Sequence, residues 1–171
     1  MNRRGWSRIT LAALTIASLA GCSHGGSGDQ VRPADDPNFL AGCGPLDDQK
    51  LASSITVTGL HQQRNPTICD WTATNAGGGP VDITYAWLRD DTLSRETEIA
   101  AQTGYQIERI VVKHYGGMYW RDPANPDTCA VTVADTGTVT WWVQNRDHAA
   151  QPDPCAAAMT LMQATLSVDG V

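Results

Sequence analysis

The sequence predicts an α+β domain over residues 42–171: a largely antiparallel sheet with helices packed on it, held by two disulfides. Three observations carry that expectation. Apolar residues alternate with polar ones in several short segments, most clearly Val81, Ile83, Tyr85 and Trp87 against Asp82, Thr84 and Ala86. Three other segments change to helical spacing. Four cysteines, Cys43, Cys69, Cys129 and Cys155, lie within the same stretch.

The chain begins with Arg3, Arg4 and Arg8, followed by an apolar run from Ile9 to Ala20. That run is about 12 residues, whereas a membrane span needs roughly 20, so residues 1–21 read as a signal segment. The segment ends in Leu19-Ala20-Gly21-Cys22, the pattern of a bacterial lipobox. A transferase alkylates the Cys22 thiol with diacylglycerol, and the small residues before it let a signal peptidase reach the bond. Two or more acyl chains on Cys22 give durable anchoring where one does not. Residues 22–41 are Gly, Ser, Asp and Pro with few apolar side chains, a flexible tether with a reach of roughly 25 Å.

Cleavage before Cys22 removes three of the 12 basic residues and none of the 18 acidic ones, moving the net charge from −6 to −9. That balance argues against nucleic acid as a partner and against electrostatic adhesion to anionic lipid. The membrane is therefore expected to be reached through the N-terminal lipid. Assigning Cys22 to lipid leaves four cysteines in an oxidising compartment, hence two disulfides. Four cysteines allow three pairings. Cys43 with Cys69 and Cys129 with Cys155 are favoured as nearest neighbours at equal separation. No CxxC or CxxH spacing supports zinc, and no metal or cofactor is expected.

Within the domain, Pro45, Asp47 and Asp48 open a helix carrying Leu46, Leu51 and Ile55, and Gly59 ends it. Thr67 to Thr74 is a strand with Cys69 and Trp71 on one face. Asn75 to Pro80 is a turn, and the Val81 strand follows. Leu93 to Gln102 is a helix capped by Thr92 or Ser94 and closed by Gly104. Strands are expected over Tyr105 to Lys113, Gly117 to Trp120, Thr128 to Ala134 and Thr138 to Gln144, with Asp135-Thr136-Gly137 as a hairpin turn. Pro154 to Leu166 closes the chain as an amphipathic helix bearing Cys155, Met159 and Met162. The order is helix, two strands, helix, four strands, helix.

Taken together, Cys22 and its tether, Cys43-Gly44-Pro45-Leu46, Cys69-Asp70-Trp71, Leu93-Ser94-Arg95-Glu96, Cys129-Ala130-Val131, Trp141-Trp142-Val143 and a helix opened by Cys155 form a recognisable layout. It resembles an actinobacterial family of secreted lipoproteins of unknown function, the group of mycobacterial LprB- and LprC-type lipoproteins. The resemblance implies cell-envelope localisation and paired disulfides. It supplies no catalytic residues. A Mog1/PsbP-like sandwich is the fold analogy it suggests.

Signatures of known catalytic sites are missing: the sequence has no G-x-S-x-G, Walker loop, G-x-G-x-x-G or H-E-x-x-H. His24, His61, His114 and His148 are scattered singly, and Asp90-Asp91 sits where acids cap a helix. The aromatics say more. Five of six tryptophans follow Cys22, beside a single phenylalanine, Phe39. Adjacent strand residues point to opposite faces, so Trp141 joins Val139 and Val143 while Trp142 shares a face with Thr140 and Gln144. Either a helix covers Trp142, or Trp142 with Trp120 or Tyr119 lines a ligand groove or partner surface. The expectation is a non-enzymatic, lipid-anchored module that binds an envelope protein or small ligand. An envelope hydrolase and a purely structural lipoprotein are the alternatives.

Overall fold

A computed structural model describes residues 40–64 and 68–168. The expected signal segment, Cys22 and most of the expected tether lie outside the described residues; of residues 22–41 only Leu40 and Ala41 are described, and Leu40 is buried in the core. The elements are α1 (Asp48–Ile55), β1 (Thr58–Arg64), β2 (Ile68–Thr74), β3 (Pro80–Leu88), α2 (Leu93–Gln102), β4 (Gln106–Val112), β5 (Tyr115–Arg121), β6 (Thr128–Ala134), β7 (Thr138–Asn145) and α3 (Pro154–Val168). All seven strands form one antiparallel sheet in the order β1-β2-β3-β7-β6-β5-β4. The architecture is α+β, as the alternation and helical spacing require.

Local chemistry sets the helix boundaries. Asp47 caps α1, its Oδ1 accepting from the Lys50 amide at 2.6 Å. Thr92 caps α2 through the Arg95 amide at 3.2 Å. Asp153 accepts from the Ala156 amide at 2.8 Å, with Pro154 in the first turn of α3. Two details differ from the expectation. α1 ends at Thr56, which takes a left-handed conformation and donates its amide to the Ala52 carbonyl. A seventh strand, β1, then runs through the place where Gly59 was expected to stop the chain. Gly59 instead holds a positive φ of 62° where the β1–β2 register slips between Thr58 and His61. At the β6–β7 turn, Gly137 has φ 111°, and a Cβ there would meet the Leu88 carbonyl oxygen at 2.3 Å.

One face of the sheet carries the core. Cys69 and Trp71, then Val81, Ile83 and Tyr85, then Val139, Trp141 and Val143, then Val131 and Val133 all point to that side by register and are buried. α3 covers β6 and β7 there, and α1 packs on α3. The Trp141 indole donates to Thr165 Oγ1 of α3 at 2.9 Å, and Trp71 donates to Asp48 Oδ1 of α1 at 3.1 Å. Trp71 and Trp141 stack at 5.8 Å. The Tyr85 hydroxyl donates to the Leu40 carbonyl at 2.8 Å, tying the chain's entry to the core; burial, then the charge of Asp135, pushes its pKa up.

The disulfides are Cys43–Cys69 and Cys129–Cys155, each with a sequence separation of 26. The first fastens the segment before α1 to β2, and the second fastens β6 to the first turn of α3. Among the described residues no helix is long and apolar enough to cross a membrane.

Candidate functional site: the second face of the sheet

The face opposite α1 and α3 is only partly covered. α2 packs against β4, β5 and β6, where Thr97 Oγ1 donates to the Met118 sulfur at 3.3 Å. Its packing centres on β4, β5 and β6, and on β2 and β3 the side chains of Asp70, Thr72, Asp82 and Thr84 remain partly or fully exposed. Trp142 stands at the boundary and is half-buried. Its ring meets Trp120 edge-on at 4.9 Å and Tyr105 edge-on at 6.1 Å. Tyr105 in turn meets Trp120 at 5.2 Å. Three aromatic rings therefore support one another at the rim of α2.

On the open side of Trp142 lies a groove of about 310 Å³, walled by Gln63, Asp70, Thr72, Asp82, Thr84, Gln144 and Arg146. Its charges are mostly committed internally. Asp82 holds Arg146 in a bidentate pair, one arm of which spans 2.7 Å, and this raises the arginine pKa further. The Thr84 hydroxyl donates to Asp70 Oδ1 at 2.7 Å. No side-chain hydrogen bond to protein is made by Gln63, Thr72 or Gln144 among the described residues.

The tryptophans separate by their indole N–H groups. Trp71 donates to Asp48, Trp87 to the Thr136 carbonyl, Trp120 to Thr132 Oγ1 and Trp141 to Thr165 Oγ1. Trp142 donates to no protein acceptor among the described residues, and its N–H is not a buried orphan. A polar tip left open beside a half-buried ring is free to bond water or a ligand.

Of the residues the sequence nominated, Trp142 and Trp120 come together, and Tyr119 does not join them. Tyr119 pairs with Val131 and so points to the α3 face, where it packs on the core beside Glu108. Its neighbour Trp120 pairs with Ala130 and points to the Trp142 face. Strand alternation excludes Tyr119 from this groove. Tyr105, Asp70, Asp82 and Arg146 were not nominated. The polar positions of β2 and β3 signalled Asp70 and Asp82, but no spacing rule brings Tyr105 beside Trp142.

The other candidates fall elsewhere. His61 lies on β1, His114 stacks on Tyr115 at 4.1 Å beyond the opposite edge, and His148 pairs with Asp127 after β7. The Asp127 partnership raises the His148 pKa. Asp91 accepts from the Thr92 amide at 2.7 Å at the start of α2. Burial, then a hydrogen bond with Asp91, pushes the Glu96 carboxyl up to about 7. Among the described residues no group of three or more His, Cys, Asp or Glu is placed to hold a metal. A larger hollow, about 550 Å³, lies beside Trp87, Arg89, Asp91 and Arg95. There Arg89 already covers the Trp87 ring at 4.5 Å, so the aromatic surface is occupied.

Fold and groove together define a disulfide-stapled, helix-covered antiparallel sheet with one half-face open around a tryptophan. The chain belongs to the DUF3558 family of proteins of unknown function, whose model matches residues 17–167. No curated protein and no solved structure matches it significantly.

Proposed function

We propose that the chain is a lipid-anchored, extracytoplasmic binding module that presents its open sheet face to a small ligand of the cell envelope. The observation that carries the binding half is Trp142, half-buried and propped by Trp120 and Tyr105, with an indole N–H that donates to no acceptor among the described residues. The groove beside it, at about 310 Å³, falls at the lower end of the range small-molecule sites occupy, roughly 300–1,000 Å³. The anchoring half rests on Leu19-Ala20-Gly21-Cys22, which the family match from residue 17 takes in together with the domain. Diacylated Cys22 would hold the protein at the membrane, and the residues between it and Leu40, where the chain enters the core, would set the domain off from the bilayer. The two disulfides fit export into an oxidising compartment.

Intact mass of the membrane-extracted protein tests the anchor. Acylated Cys22 is the expected N-terminus, and Cys22→Ser is expected to move the protein into the soluble fraction. A Cys22→Ser protein that stays with the membrane would overturn it.

A further inference from the structure

We propose that the Trp142 groove binds a neutral saccharide, an inference that rests on the binding-module reading above and names its ligand. Three features of the groove converge on that chemistry.

The first is charge. Arg146 and Asp82 neutralise each other, and one oxygen of Asp70 is already engaged by the Thr84 hydroxyl. An anionic ligand would meet two carboxylates and a committed cation. A cation would find Asp82 taken by Arg146 and only Asp70 left to pair with, one of its oxygens already bonded to Thr84. A neutral ligand disturbs neither arrangement.

The second is the set of open hydrogen-bonding groups. Gln63, Thr72 and Gln144 line the groove and make no side-chain bond within the protein among the described residues, and the Trp142 N–H is likewise open. Two amides, a hydroxyl and an indole supply neutral donors and acceptors spread across β1, β2 and β7. That spread suits a ligand with hydroxyls around its whole rim.

The third is the platform. The Trp142 ring is fixed edge-on by Trp120 and Tyr105 and needs no ordering when a ligand arrives. A pyranose has one face of C–H groups, which stacks on an aromatic ring, and hydroxyls at its edge. A polypeptide strand would instead seek an unpaired sheet edge, and the groove floor lies over β2, β3 and β7, which are paired on both sides.

Titration calorimetry on the full lipoprotein tests this, in a detergent whose headgroup is not a sugar. The probes are maltotetraose, cellotetraose and mannotriose, with trigalacturonate as acidic comparator. Sedimentation with insoluble neutral polysaccharide separates a polymer from a free oligosaccharide as the source. Saturable binding of at least one neutral probe is expected. Trp142→Leu should weaken it about tenfold or more, Gln144→Ala by a few-fold, and the remote exposed Val111→Thr should leave it unchanged. Circular dichroism checks that each variant folds; if Trp142→Leu does not, Trp142→Phe removes the N–H and keeps a ring.

Preference for trigalacturonate, or neutral-sugar binding that survives Trp142→Leu in a folded protein, overturns the inference. The same variants titrated with envelope lipid extract separate the two levels. Trp142-dependent binding of a non-sugar there refutes the saccharide and leaves the module standing. Silence toward every probe refutes both.

Discussion

Trp141 and Trp142 are neighbours in sequence, and the same substitution at each should have opposite consequences. Trp141→Phe removes an indole N–H that bonds Thr165 at 2.9 Å in a site where both residues are fully buried. The Thr165 hydroxyl loses its partner, worth about 1–3 kcal/mol. The lost ring also leaves a gap against Trp71 and Tyr85, which pack on it at 5.8 and 4.9 Å, adding about 1 kcal/mol or more. The total expected is about 2–4 kcal/mol of stability. Trp142→Phe breaks no protein hydrogen bond among the described residues and acts in a half-buried site, so its cost should stay under about 1 kcal/mol. Urea unfolding followed by circular dichroism measures both. Equal losses, or a larger loss at Trp142, would refute the assignment of the two residues to a closed and an open face.

Two further predictions concern the staples and the start of α2. Non-reducing peptide mapping should recover Cys43 with Cys69 and Cys129 with Cys155, and removing either bridge should cost about 3.5 kcal/mol on the loop-entropy account; a crossed pair would contradict the structure. Glu96, pushed up to about 7, favours the folded state while protonated, so its contribution is present below its unfolded pKa and is lost as pH rises through about 7. Asp91, held low first by its hydrogen bond with Glu96, acts in the opposite sense, and its contribution disappears as pH falls through its lowered pKa. The start of α2 should therefore be firmest in the mildly acid window between them. Solvent screening keeps the Glu96 part to about 1 kcal/mol or less. Glu96→Gln should flatten the decline toward pH 7, and a carbon-detected Glu96 titration centred near 4.5 would refute the pairing.

Much of the fold was legible because its elements announce themselves locally. The Thr92 cap and Gly104 bracket α2, and alternation marks β3 and β7, because a strand packed mainly on one side must sort its residues by parity. β1 was missed for the same reason: Thr58-Gly59-Leu60-His61-Gln62-Gln63-Arg64 is an edge strand with a single large apolar residue, so no period shows. The site was legible only in part. Parity separates Trp142 from Trp141, and it also removes Tyr119 once Trp120 is placed. Whether Trp142 is covered depends on where α2 lands, and α2 lands on β4, β5 and β6. That docking, like the approach of Tyr105 to Trp142, is a long-range packing outcome with no local signature.

The most direct test of the groove is the set of indole N–H resonances of the ¹⁵N-labelled protein, with and without a neutral oligosaccharide. Four indoles in the described domain are bonded to protein acceptors and should exchange slowly. Trp142 should exchange fast when free, then shift and become protected with ligand, while the Trp71 and Trp141 signals stay in place. A Trp142 indole as protected as the others before any ligand is added, and unmoved afterwards, would contradict the claim that this face is built to bind.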